Sequence, residues 1–341
     1  MTAVELETGP IRPAIRRVRE LDGIRGTAVL LVLLYHGRAY FGNTALVSIA
    51  RYGWTGVDLF FVLSGFLITG ILLESRQNPH YYRRFYARRV ARIWPLYLGI
   101  LAISGLLNLR FRANIPWLWY FLLVQNFKPN EWGFCFLAVT WSLAIEEQFY
   151  LFWPTIVKRL PSRFLAALCI ATLVAEPIIR AIVLHYPDWH IVNANTFCRL
   201  DGLAMGSLLA VRGNRVSRRQ AWAAFLVGLV ASAILMNPPE YTSHTSGFLL
   251  SALALCFGGL VALRPGFFRF PLLCWFGTIS YGLYLIHFGV IVLGQLAGLS
   301  IWWCYAWSIA LAAASWRYFE RPIQHLVRTV SERQWGGGTG S

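Results

Sequence analysis

Apolar residues fill the chain in ten blocks, broken by short polar stretches rich in arginine. The blocks fall at roughly 22–40, 56–74, 93–108, 140–157, 164–184, 199–212, 220–236, 247–263, 275–296 and 300–318. A helix needs about 20 mostly apolar residues to cross a bilayer, and fewer where a polar cavity interrupts it. The pattern therefore predicts an all-α polytopic membrane protein, a bundle of about ten transmembrane helices. A further stretch at 116–127, with Trp117, Trp119 and Tyr120, is too short to span and suits an interfacial or re-entrant segment.

Composition sharpens this reading. Of 341 residues, 57% are hydrophobic and only 13% charged, against about 25% charged in a soluble domain. The 15 Trp, 15 Tyr and 23 Phe fit aromatic belts at two interfaces. No soluble block separates the apolar segments, so one membrane domain is expected over 21–322. A polar tail precedes it (1–20) and another follows (323–341), whose Gly-rich end 336–341 reads as an added linker. The start lacks the features of a signal peptide. Six scattered cysteines show no zinc or redox spacing, and no metal site is expected.

The net charge of +16 points to topology, not to nucleic acid. Most of the basic residues fall on one side if the ten spans alternate. They include Arg12, Arg16, Arg17, Arg19, the run from Arg76 to Arg92, and Arg212, Arg215, Arg218 and Arg219. Arg38, Arg51, Arg110, Arg112, Lys128, Arg180 and Arg199 fall at the other side. Positive loops stay inside, so both termini are expected in the cytoplasm.

Ionisable residues inside spans are costly and mark functional candidates. Arg25 and His36 lie eleven residues apart in the first span, on nearly one helix face and about 16 Å apart along its axis. Arg25 could instead snorkel to the interface. His36 suits a base or proton relay, the alternative being a satisfied structural histidine. Asp58 opens the second span, either as a first-turn dipole partner or as a partner of His36 or Arg199. Ser64 is a weak nucleophile candidate, since serines in membrane helices usually bond back to their own carbonyls. Glu146 and Glu147 point about 100° apart and cannot share one face. One of them could orient an imidazole or hold an acceptor hydroxyl, unless it only pairs with an arginine. Arg199 with Asp201 reads as structural, and His287 is open between packing and catalysis. Arg89 and Arg92, neighbours at i and i+3 ahead of the third span, could clamp phosphates, although a basic loop alone would also explain such a cluster. No P-loop or dinucleotide motif accompanies them.

Taken together, these segments resemble the acyltransferase 3 family of membrane enzymes. Leu21-Asp22-Gly23-Ile24-Arg25-Gly26 followed by Tyr35-His36 is similar to its arginine–ten–histidine motif. The run from Gly56 to Phe66, Arg89-Val90-Ala91-Arg92, Trp141 to Leu151 and Tyr281 to His287 complete the set. The resemblance implies transfer of an acyl group, usually acetyl, from cytoplasmic acyl-coenzyme A (acetyl-CoA) to a hydroxyl. The acceptor would be a glycan, an exopolysaccharide or a lipid-linked sugar, or else a macrolide or other small secreted molecule. It implies His36 as the essential catalytic residue, with Arg25, Arg89 and Arg92 serving the donor. We further expect Glu146 to orient His36 or its substrate, with Asp58 as another catalytic candidate. It also implies the bacterial inner membrane. Many glycan-modifying relatives carry a soluble esterase-like domain after the membrane part. The short tail here leads us to expect none, so the chain would finish the transfer or hand the acyl group to a separate protein.

A proton-coupled transporter would also use buried His and Glu. It predicts an internal repeat, which the two halves of the chain do not show, and leaves Arg89 and Arg92 without a role. The sequence leaves a homo-oligomer open.

Overall fold

The computed structural model describes residues 18–42, 44–127, 135–183, 189–236 and 246–335. Arg12, Arg16, Arg17, Lys128 and the Gly-rich end 336–341 lie outside the described residues. Among those described, every regular element is helical. Ten helices answer to the ten apolar blocks: α1 (Arg19–Gly37), α2 (Gly56–Glu74), α3 (Tyr81–Phe111), α4 (Thr140–Arg159), α5 (Ser162–Val183), α6 (Leu200–Arg212), α7 (Arg218–Leu235), α8 (Ser246–Leu263), α9 (Pro271–Leu296) and α10 (Ile301–Ser315). A π-turn, Trp316–Glu320, leads into α11 (Arg321–Trp335). The aromatic stretch at 116–127 contains only a short helix, Trp117–Phe121, and a turn at Gln125–Phe127.

Four segments are long and apolar enough to cross a membrane by themselves: Ala45–Glu74, Tyr81–Phe111, Ser162–Val183 and Pro271–Leu296. The others are shorter or carry charge. α1 holds Arg25 and His36, α4 holds Glu146 and Glu147, and α6 has only 13 residues. α3 begins twelve residues before the predicted span, because the arginine-rich approach is itself helical. Arginine is a good helix former, so Tyr81 to Arg92 continues into the apolar part without a break. Tyr81 and Tyr86 donate their hydroxyls to the carbonyls of Pro154 and Leu151, both at 2.9 Å, and so dock this approach on α4.

The centre of the bundle is α1 against α9, with α2 beside α1 and α6 beside α2. Glycines set the approach of α1 and α9. A Cβ on Gly277 would fall 1.9 Å from the carbonyl oxygen of Asp22, and one on Gly26 would fall 2.0 Å from that of Leu273. Small residues let membrane helices come this close where larger ones hold them apart. From Gly277 the same face of α9 continues through Tyr281, Tyr284 and His287, at steps of four, three and three. Along this stripe Tyr281 donates to the Ile93 carbonyl of α3, Tyr284 bonds to Ser142 of α4, and His287 meets His36 of α1.

Candidate active site

A cavity of about 270 Å³ opens at the start of α1, by Val18 and Leu21, and at the end of α2, by Ile71. It follows one face of α2 inward through Leu67, Ser64, Phe61 and Phe60 to Val57. From Ile71 to Val57 the helix rises about 21 Å. Near the mouth the walls are charged: Asp22 and Arg25 from α1, Arg89 and Arg92 from α3, Glu146 from α4. Three guanidiniums face two carboxylates, which leaves one positive charge in excess. The three arginines lie near enough to repel one another. Arg89 stacks 4.3 Å over the ring of Tyr150, and Arg25 sits 3.8 Å from Asp22. At the inner end the lining turns aromatic, with Phe60, Phe61 and Tyr284.

Ser64 does not bond back to its own helix. It donates to Glu146 Oε1 at 2.6 Å, which ties α2 to α4 in the cavity wall. Glu147, one residue on, is absent from that wall, and its Oε1 is buried with no hydrogen-bond partner. Of the two adjacent glutamates, Glu146 is thus the one on the cavity, and its surroundings are arginine, serine and tyrosine, not imidazole.

His36 lies beyond the aromatic end of the cavity. Its Nδ1 is 3.0 Å from the carbonyl oxygen of Val32 and 3.1 Å from Nε2 of His287. His287 is 1% exposed, with Nδ1 at 3.0 Å from the carbonyl oxygen of Leu283. Tyr284 stands between cavity and histidines. It lines the cavity, shares a 2.6 Å hydrogen bond with Ser142, and its ring centroid is 6.0 Å from that of His287.

The structure chooses between two partners for one pairing and corrects another. Asp58 meets Arg199 at 3.1 Å, not His36, and both are buried. Asp201 pairs with Arg180 at 2.9 Å, not with Arg199. Arg180 was assigned to the outer side from its position in the chain. It is fully buried between α5, α6 and α8, bonded to Glu176, Ser251 and the carbonyls of Gly247 and Cys198. The signal was legible: Glu176 and Arg180 stand at i and i+4 in an otherwise apolar helix. Tyr150, Ser142 and Tyr284 were also missed as cavity residues, because an aromatic or a serine in a membrane helix is unremarkable by type. Among the described residues no group of three metal-ligating side chains forms a site.

A family model described as an acyltransferase domain, acyltransferase 3, matches residues 18–316. The chain is 31% identical, over 91% of its length, to YrhL of Bacillus subtilis (strain 168), itself provisionally named a peptidoglycan O-acetyltransferase. It is 30% identical over 89% of its length to O-acetyltransferase OatA of Staphylococcus aureus (strain NCTC 8325 / PS 47). It is 28% identical over 90% to peptidoglycan O-acetyltransferase OatA of Listeria monocytogenes. The match spans 55%, 57% and 56% of those relatives respectively, so the chain covers just over half of each. No solved structure matches the chain. The matched residues take in the whole cavity wall and both histidines, and the chain belongs to the acyltransferase 3 family.

Proposed function

We propose that the chain is a membrane O-acetyltransferase of the bacterial inner membrane, moving acetyl from acetyl-CoA to a hydroxyl of a cell-envelope glycan. Peptidoglycan is the acceptor favoured by the names of its relatives. In this reading all ten helices cross the membrane, both termini are cytoplasmic, and the arginine mouth faces the cytoplasmic donor. The observation that carries it is the convergence of Arg25, Arg89 and Arg92, from two helices, on one cavity with an excess of positive charge.

Coenzyme A is a phosphorylated nucleotide on a long, flexible arm ending in the thiol. Guanidiniums match phosphates in charge and geometry. The phosphates rest among the three arginines, and the arm lies along α2 towards Tyr284. There the thioester comes within one helical turn of the histidine pair.

His36 then acts as the base. It takes the proton of the acceptor hydroxyl, whose oxygen bonds to the thioester carbonyl carbon. The carbon–sulfur bond breaks, and the coenzyme A thiolate recovers the proton from His36. Glu146 and Ser64 shape the donor side. Asp58 and Arg199 hold the bundle, and neither they nor Glu147 take part in proton transfer.

Binding tests this reading. In the reconstituted protein, acetyl-CoA should raise the melting temperature, and Arg89→Ala with Arg92→Ala should remove that shift. An equal shift in the double variant contradicts it.

A further inference from the structure

Two backbone carbonyls fix where the protons of the histidine pair reside. A carbonyl oxygen can only accept. The nitrogen of His287 facing the Leu283 carbonyl, Nδ1, therefore carries the hydrogen. In the neutral ring its Nε2 is then bare. That bare nitrogen lies 3.1 Å from Nδ1 of His36, which also faces the Val32 carbonyl at 3.0 Å. His36 Nδ1 is thus met by two acceptors and must be the protonated one, sharing its hydrogen between them. Any other neutral arrangement sets lone pair against lone pair. What remains is Nε2 of His36, without a proton.

We infer that His287 is a positioning residue: by accepting from His36 Nδ1 it fixes the tautomer that leaves His36 Nε2 free as the base. This inference rests on the proposed role of His36 and adds a second residue to it. The arrangement serves both halves of the reaction. When His36 Nε2 takes the hydroxyl proton, the ring becomes a cation whose Nδ1 hydrogen still points at two acceptors. Elsewhere a carboxylate commonly gives a catalytic histidine this support. Here the carboxylates are engaged otherwise: Asp58 is paired with Arg199, and Glu146 accepts from Ser64. A neutral imidazole also suits the place, since His287 is fully buried and an ionised acceptor there would need a counter-charge.

The experiment is steady-state release of coenzyme A from acetyl-CoA by the reconstituted full chain, with muropeptides as acceptor. Its variants are His287→Leu, His287→Gln and His36→Ala. Leucine fills the space but cannot accept, whereas the glutamine amide can place its oxygen near the position of His287 Nε2. His287→Leu should lower kcat about 100-fold, within the range that proton transfer by a positioned base contributes. KM for acetyl-CoA should stay unchanged, and His287→Gln should recover about a tenth or more of the wild-type rate. A shift in melting temperature with acetyl-CoA confirms that each variant is folded. Wild-type kcat in His287→Leu, or equal loss in the leucine and glutamine variants while both still bind acetyl-CoA, overturns the inference and leaves the reading of His36 standing. Full activity in His36→Ala overturns that reading itself.

Discussion

Ser64 on α2 gives its hydroxyl hydrogen to Glu146 on α4 across 2.6 Å, inside a cavity that also holds three arginines. This contact leaves two roles for Ser64. A hydroxyl bound to a carboxylate beside the donor could be an activated nucleophile or a strut. With the base at the histidine pair beyond Tyr284, Ser64 is a strut. Ser64→Ala should lower coenzyme A release by about 10- to 150-fold at most, the loss of one charge-assisted hydrogen bond being about 1.5–3 kcal/mol. Turnover as low as that of His36→Ala would make Ser64 a covalent acyl carrier.

Arg89 and Arg92 are expected to act on donor binding. Replacing either by alanine should raise KM for acetyl-CoA about 10- to 100-fold, as loss of one to two strong ionic hydrogen bonds implies. Lysine should restore only part, because an ammonium cannot reproduce the two-pronged geometry. Kinetics over a range of acetyl-CoA concentrations separate this from an effect on kcat alone.

Asp58 and Arg199 are buried together, so breaking the pair leaves a bare charge. Asp58→Asn or Arg199→Leu should each cost about 3–5 kcal/mol of stability. The double variant should be less damaged than the worse single one. Thermal unfolding in detergent measures this. In whatever fraction folds, KM for acetyl-CoA should be unchanged.

Gly277 admits no side chain. Leucine there would push α9 off α1 and should destabilise by about 1–3 kcal/mol or more, with loss of turnover. Gly99 on α3 is the control, since a Cβ there meets nothing within 4 Å. Gly99→Ala should be neutral or stabilise slightly, as alanine is the better helix former.

Much of this was legible in the chain. Apolar blocks of helix length located ten helices, and misplaced Arg25, His36 and Glu146 flagged the polar interior. Position in the sequence could not say which charges meet. His36 and His287 are 251 residues apart, and only the close approach of α1 and α9 at Gly277 brings them together. Asp58 had two candidate partners by type, and the choice fell to Arg199 because α6 packs on α2. Position near a helix end does not say whether an arginine such as Arg180 is exposed or buried. A neighbour four residues away, Glu176, lets it be buried.

The most direct test of the central claim follows a radiolabelled acetyl group. The protein is reconstituted in liposomes with labelled acetyl-CoA at the arginine face and muropeptides as acceptor. Base-labile label is expected on a muropeptide hydroxyl, with none when His36→Ala replaces the wild type. Label that stays on coenzyme A with wild-type protein, or moves equally well with His36→Ala, would contradict it.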